Sequence, residues 1–253
     1  MASDAERAPV RLAELVASLS LGIDLGFGQP MEHVLRQCLI ALRVAERLGL
    51  DDEARAAVYY TALLVNVGCH TDAHEQAKWF GDDIALKANK YDHDLRGVRA
   101  AVSGMRMIGA GNPPLHRFRI GLSFVLSGYR EVADMIDHHA AMARMLGEQL
   151  ELSSEVLDGL SAAYEMWDGK GWPGKLGGDA IPLPARLAQL GEFVEVAQRM
   201  GGVEAVRAIV RERRGEQFDP ALCDLVDTEA PELLSDLDTI VTWDAVIDAE
   251  PAL

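Results

Sequence analysis

Apolar residues recur at spacings of three and four along most of the 253-residue chain, which is the pattern of helices that bury one face. The alternation of apolar and polar residues that marks a half-buried strand is nowhere sustained. Asp51, Ser153 and Ser154 are candidate N-caps. The spacing predicts helices over 10–27, 31–48, 52–64, 72–80, 95–111, 115–126, 129–150, 154–164, 184–200, 203–214 and from 218 onward. The sequence therefore predicts an all-α fold, with one helical domain as the simplest arrangement.

A segment rich in glycine and proline, from Glu165 to Pro184, interrupts the helical pattern. So many glycines and prolines exclude the interior of a helix or strand, so the segment is predicted to be an ordered loop between two helices. Trp167 and Trp172 are expected to hold it against those helices. Charged residues lie between the tryptophans and after them: Asp168, Lys170, Lys175 and Asp179. A simple connection between helices needs fewer polar and aromatic side chains, so a functional loop is expected. The alternative is a surface loop whose glycines only make turns.

Composition and charge exclude several functional classes. The formal net charge of −16, from 40 acidic and 24 basic residues, would repel a nucleic acid backbone, so direct nucleic acid binding is not expected. No apolar run approaches the roughly 20 residues that cross a bilayer. The N-terminus lacks a basic segment followed by an apolar one, so a cytoplasmic protein without disulfides is expected.

The glycine-rich segment is similar to a known signature. Its form is DGxGYPxGLxGxxI followed by an ARI-like helix start, and it belongs to the HD-GYP family of the HD superfamily of metal-dependent phosphohydrolases. Trp172 replaces the tyrosine of the signature, and Lys175 replaces a glycine. The matching residues are Asp168, Gly169, Gly171, Pro173, Leu176, Gly178, Ile181, Ala185 and Arg186.

The resemblance implies a helical bundle of the HD type. On this basis the HD-GYP-like domain covers 31–226, with an N-terminal helix over 1–30 and an acidic C-terminal tail over 227–253. Residues 84–130 are predicted to be a helical insertion without a counterpart in the family. The family's usual substrate is cyclic di-GMP.

The resemblance also implies metal ligands. Counting back from the Leu-Gly-Leu at 48–50 places His33 at the first ligand position, and the later positions fall at His139, with His138 as its competitor, and at Glu192. One divalent Fe, Mn or Zn ion held by two imidazoles and a carboxylate is chemically reasonable.

Other ligand positions of the family are substituted. Val65 and Asn66 stand where the family has its His-Asp pair, and Ala163 and Tyr164 where it has two adjacent histidines. Valine donates no electron pair, and an asparagine offers only a neutral amide oxygen. A full binuclear centre is therefore not expected.

A second group of candidate donors follows the substituted pair: Cys69, His70, Asp72, His74, Asp82 and Asp83. His70 and His74 share a face if the segment is helical, so a displaced metal site with His70 and Asp72 as donors is one hypothesis. In the other, Asp72 caps a helix and the histidines form local hydrogen bonds.

Two functions follow from the resemblance. The first is a ligand-binding or regulatory signalling module with little or no hydrolase activity, which binds a nucleotide or other phosphate-containing molecule. Its binding residues would be Lys170, Trp172, Lys175 and Arg186. The alternative is an active phosphodiesterase with a mononuclear metal site, in which Asn66 and Asp168 stand at catalytic positions.

A third hypothesis is a sensor or dimerisation module of a transcription regulator, since similar regions occur in such proteins. On this hypothesis the protein would form a homodimer.

Overall fold

The computed structural model describes residues 10–27, 29–70, 113, 118–119 and 129–251, and this part of the chain is all-α, as predicted. It contains no β-strand among these residues, only an isolated bridge between Arg214 and Phe218. The described helices are α1 (Leu12–Phe27), α2 (His33–Arg47), α3 (Asp52–Leu64), α4 (Tyr129–Gln149), α5 (Ser154–Ser161), α6 (Leu183–Glu212), α7 (Pro220–Leu233) and α8 (Thr242–Asp248), with 3-10 turns at Val67–His70 and Gly178–Ala180.

Helix α2 lies at the centre of the bundle, where it contacts α1, α3, α6, α7 and α8. Eleven of its fifteen residues are buried, on every side of the helix. A helix buried all round must find partners in several directions, which explains why the neighbouring helices surround it. The polar residues of α2 that are also buried, His33 and Gln37, therefore lie inside the bundle.

Helix α3 begins where the sequence predicts it, because the Asp51 carboxylate accepts a hydrogen bond from the Ala54 N–H at 3.0 Å. Its tyrosines Tyr59 and Tyr60 are fully buried. The Tyr59 hydroxyl donates to the Val246 carbonyl oxygen at 3.0 Å, so the last helix is attached to the middle of the bundle.

The long helix α6 packs against α2, α3, α5 and α7. The predicted break at Gly201 and Gly202 is present as a kink, where both residues leave helical geometry and Gly202 takes φ 64°. At Gly191 the helix comes so close to α2 that a Cβ would lie 2.7 Å from the Gln37 carbonyl oxygen. This close approach brings the acidic residues that follow Gly191 into the interior.

The segment predicted as an acidic tail packs against the bundle despite its composition. Arginines on α2 reach it: Arg36 donates to the Leu237 carbonyl oxygen at 2.7 Å, and Arg43 donates to that of Leu233 at 2.8 Å. Leu237 and Val246 are fully buried. The predicted domain limits at residues 30 and 226 remain predictions, but helices on both sides of each limit pack against α2.

Two details of the predicted helix before the glycine-rich loop need correction. This helix, α5, ends at Ser161 rather than at Tyr164, and Ser153 stands at its N-cap without a side-chain capping bond.

The predicted insertion over 84–130 lies outside the described residues, apart from 113, 118–119 and 129–130, and stays a prediction. None of the helices in the described part has the length and apolar character that crossing a bilayer requires.

Candidate active site

The loop between α5 and α6, residues 165–182 and here called the GWP loop, is organised around the side chain of Glu165. This carboxylate is only 3% exposed. It accepts hydrogen bonds from the main-chain N–H groups of Gly174 at 3.1 Å, Lys175 at 2.9 Å and Leu176 at 3.2 Å. A buried carboxylate needs such donors, and here they come from the far side of the same loop. Glu165 therefore fixes the path of the GWP loop.

The glycines of the loop are required by this compact path. A Cβ on Gly171 would lie 2.5 Å from the Tyr164 carbonyl oxygen, so no side chain fits there. Gly174 takes φ +74°, which residues with side chains rarely adopt. The Trp172 N–H donates to the same Tyr164 carbonyl at 2.8 Å, and the bond from Trp172 to Pro173 is cis. The sequence prediction of an ordered loop is consistent with this geometry.

A second set of main-chain bonds attaches the loop to the connection between α6 and α7. The Trp167 N–H donates to the Gln217 carbonyl oxygen at 3.1 Å, and the Asp168 N–H donates to that of Glu216 at 2.9 Å. The loop is thus held at one end by α5 and along one side by the residues before α7.

The predicted catalytic residue Asp168 shapes a turn. Its Oδ1 accepts from the Lys170 N–H at 3.0 Å, and its Oδ2 pairs with Lys170 Nζ at 3.2 Å. The Lys170 side chain is 74% exposed, and Lys175 is exposed as well. Two of the predicted phosphate-binding residues, Lys170 and Lys175, are therefore open to solvent on the GWP loop, and Trp172 beside them is half-buried.

Arg186, the remaining predicted phosphate ligand, lies beneath the loop. Its guanidinium pairs with Asp219 at 2.7 Å and Asp179 at 3.3 Å, and it stacks over the Trp167 ring at 5.7 Å from the centroid. Asp219 also caps α7 by accepting from the Ala221 N–H at 2.8 Å. A cavity of about 10 Å³ adjoins this cluster, which is room for about one water molecule. The arrangement makes Arg186 a link between the loop and α7.

His33, the first predicted metal ligand, is fully buried and bonded to a residue that the sequence did not single out. Its Nδ1 shares a hydrogen bond with Glu195 Oε2. Arg36 and Arg199 each place Nε 3.4 Å from Glu195 Oε1. Burial acts to raise the pKa of Glu195, but the His33 hydrogen bond and the charges of His33 and of the two arginines hold that pKa below its ordinary value. The only sequence signal for Glu195 was an acidic residue inside an apolar helical run.

Asp24 on α1 adds a second buried carboxylate near His33. Its Oδ1 accepts from the Val34 N–H at 3.1 Å. Burial raises the pKa of Asp24 to about 6, and the charge of His33 opposes that rise.

The other predicted site residues on α3, α4 and α6 are buried too: Asn66, His139 and Glu192. Gly68, just after Asn66, packs against α4 so closely that a Cβ would lie 2.5 Å from the His139 carbonyl oxygen. The His139 ring stands 6.2 Å from that of Tyr164. The Asn66 amide nitrogen has no hydrogen-bond partner among the described residues.

These buried side chains do not by themselves complete a metal centre. Within the described ranges, no three His, Cys, Asp or Glu residues lie together in an arrangement that could hold an ion. The His70 side chain and Asp72, both predicted as donors, fall outside what the structure describes. A metal centre would need donors from outside the described residues. The described geometry therefore supports no chemical step through a metal.

Comparison with known proteins identifies the fold. A family model described as HD domain matches residues 129–222, which include His139, the GWP loop and α6. A 3′3′-cGAMP-specific phosphodiesterase 3 of Vibrio cholerae is 26% identical over 95% of the chain. Residues 129–222 therefore belong to the HD-domain family. This confirms the membership that the glycine-rich segment predicted.

Further proteins to which the chain is similar are also phosphodiesterases of Vibrio cholerae. The crystal structure of a cyclic GMP-AMP-specific phosphodiesterase of Vibrio cholerae superposes with a TM-score of 0.70 at 26% identity, over 95% of this chain and 54% of that one. A cyclic di-GMP phosphodiesterase of the same organism is 37% identical over 65 residues, which are 23% of this chain and 13% of that protein. The chain spans about half of the length of the 3′3′-cGAMP-specific relative, with 53% of that protein covered.

Proposed function

We propose that this HD domain is a metal-dependent phosphodiesterase that acts on a cyclic dinucleotide through an altered, mononuclear site. The observation that carries the proposal is the likeness to a 3′3′-cGAMP-specific phosphodiesterase over 95% of the chain, in sequence and in fold. The ordered GWP loop, with exposed lysines beside a half-buried tryptophan, supports it.

In this proposal the ion would be held by His139 and Glu192, with His70 or Asp72 completing the donor set. Imidazole and carboxylate donors suit iron, manganese or zinc. Such an ion, when bound, would activate a water molecule and polarise a phosphoryl oxygen. The Asn66 amide, buried with an N–H donor available, would orient a phosphate oxygen or the attacking water.

Substrate binding falls to the outer side of the GWP loop. Lys170 and Lys175 carry positive charge to a surface where phosphate groups would meet them. Trp172 offers a flat apolar face on which a base would stack. Arg186 supports the loop from beneath, through its pair with Asp219.

The test is the cleavage of 3′3′-cGAMP and of cyclic di-GMP by the whole chain, with added Mn²⁺ and with EDTA. We expect cleavage of at least one of them that EDTA abolishes. Glu192→Gln should abolish it, whereas Glu212→Gln, an exposed glutamate of the same helix, should leave the rate unchanged. Absence of cleavage with every metal tried would refute the proposal, as would an active Glu192→Gln variant.

A second candidate is a regulatory domain that binds the same class of ligand without cleaving it. The specific observation in its favour is Val65, a buried apolar residue at the position of the family histidine. Calorimetry separates the two: saturable binding of a cyclic dinucleotide without cleavage supports this candidate. Under either function a homodimer remains a prediction, for which sedimentation of the whole chain is the measurement.

A further inference from the structure

The side chain of Gln189 attaches α6 to the start of the GWP loop. Its Nε2 donates to the main-chain carbonyl oxygen of Glu165 at 3.1 Å and, in a longer bond, to that of Ala163 at 3.4 Å. Glu165 and Ala163 are buried, whereas Gln189 is half-buried. Solvent therefore has little access to the two carbonyl groups, and Gln189 supplies the donor that they need.

Glu165 continues this connection into the loop. Its carboxylate accepts a hydrogen bond from the main-chain N–H of Lys175 at 2.9 Å, and further bonds from the N–H groups of the two neighbours of Lys175. A path of hydrogen bonds thus runs from Gln189 through the main chain and the side chain of Glu165 to the main chain of Lys175. The place of Lys175 relative to α6 depends on both links.

Lys170, the other exposed lysine of the loop, is placed through different contacts. Its main-chain N–H donates to Asp168 Oδ1 at 3.0 Å. The Asp168 N–H in turn donates to the Glu216 carbonyl oxygen at 2.9 Å, in the connection between α6 and α7. A change at Gln189 should therefore displace Lys175 more than Lys170.

The helix that holds the loop also carries a residue of the proposed metal site. Glu192 is buried on α6 and follows Gln189 by three positions. Residues three positions apart are neighbours on one side of a helix. Gln189 therefore sets the position of Lys175 with respect to the part of α6 where the proposed reaction takes place.

We propose that Gln189 is a positioning residue, which acts through Glu165 to place Lys175 against a phosphate group of the cyclic dinucleotide. The inference deepens the proposed function and rests on it. Gln189 does not contact the substrate in this proposal. Because a displaced Lys175 would weaken the binding of substrate and of transition state alike, loss of Gln189 should raise KM and leave kcat unchanged.

Steady-state kinetics of the whole chain with Mn²⁺ provide the first test, with whichever of 3′3′-cGAMP and cyclic di-GMP it cleaves. Gln189→Met keeps the length of the side chain and removes the donor, so KM should rise by about three- to tenfold and kcat should change by less than about twofold. Gln149→Met, the same change at an exposed position of α4, should leave both constants unchanged. If Gln189→Met does not fold, Gln189→Glu takes its place.

Double variants show whether the effect passes through Lys175. In a Lys175→Gln background, Gln189→Met should raise KM by less than about twofold further, whereas in a Lys170→Gln background its full effect should remain. A merely structural role of Gln189 would produce the same rise in both backgrounds. That result, or an unchanged KM in Gln189→Met, would overturn the inference and leave the proposed function standing.

Limited proteolysis tests the placement of Lys175 without substrate or metal. Trypsin cuts after lysine, so the bonds after Lys170 and Lys175 report separately on the two parts of the loop. Gln189→Met should speed up cleavage after Lys175 by about threefold or more, and cleavage after Lys170 by less than about twofold, because local opening exposes the bond to the protease. Equal acceleration at both bonds, or none after Lys175, would overturn the inference. A wild-type chain that cleaves neither cyclic dinucleotide would instead contradict the proposed function.

Discussion

The replacement Glu165→Gln tests whether one buried carboxylate holds the GWP loop. Three main-chain N–H groups, of residues 174, 175 and 176, donate to it over 2.9–3.2 Å. Glutamine has nearly the same shape but only one acceptor oxygen, and its NH₂ group would face at least one of these donors. The change therefore removes charge from the bonds that remain and leaves an N–H unsatisfied.

The magnitude follows from the contacts. A hydrogen bond to a charged group contributes about 1.5–3 kcal/mol, and a buried unsatisfied donor costs about 1–3 kcal/mol. Because Glu165 is 3% exposed, solvent cannot replace the lost bonds. We expect Glu165→Gln to lower the free energy of unfolding by about 2–4 kcal/mol. The bonds at Trp167 and Asp168 should keep the loop attached to the α6–α7 connection, so the helical fold should persist.

The assay is urea unfolding followed by tryptophan fluorescence, since Trp167 and Trp172 both lie in the loop. Glu212→Gln is the matched control, because this glutamate is exposed on α6 and should change stability by less than about 0.5 kcal/mol. If Glu165→Gln proved no more destabilising than that control, the role assigned to Glu165 would be wrong.

Three further predictions concern the described helices and loop. Gly171→Ala should lower the free energy of unfolding in urea by more than about 2 kcal/mol, because its Cβ would meet main-chain atoms. In the control, Gly22→Ala, the Cβ would have nothing within 4 Å on an exposed helix face, so the free energy of unfolding should rise by about 0.5–1 kcal/mol. Equal effects would contradict the close main-chain approach at Gly171. Burial raises the pKa of Asp24 from 3.8 to about 6, so the folded state binds this proton more tightly than the unfolded state, and stability should fall as the pH rises between those values. Asp24→Asn should remove that part of the pH dependence and stabilise the protein at neutral pH; an unchanged profile in thermal unfolding would refute this. Arg186→Lys should destabilise by about 1–3 kcal/mol, because lysine cannot reproduce the guanidinium contacts with Asp219; unchanged urea unfolding would count against this link.

The features that sequence predicted well depend on neighbours in the chain. Asp51 caps α3 through a residue three positions away, and the kink at Gly201 and Gly202 arises from the backbone of those two residues. The GWP loop belongs to the same class, because glycines and prolines set its path and Glu165 accepts from donors only nine to eleven residues away. Local rules of capping and turn formation are sufficient for such elements.

The features that sequence missed depend on contacts between distant segments. Glu195 pairs with His33 across 162 positions, and no local pattern marks that pair. The same holds for Asp219, which joins α7 to Arg186. The roles of such side chains can be recognised only once the packing of the helices is known.

The C-terminal segment was missed for a different reason. Its acidic composition suggested a tail, but Arg36 and Arg43 of α2 pair with Asp238 and Asp236, and apolar residues such as Leu237 and Val246 are buried. The last helix, α8, has only seven residues and gives too short a pattern to recognise from periodicity.

The most direct test of the account is the metal content of the whole chain, purified without chelator and measured by elemental analysis. The proposed mononuclear site predicts about one manganese, iron or zinc ion per folded chain, and this ion should be lost in Glu192→Gln. A folded wild-type chain that contains no metal would contradict the proposed phosphodiesterase.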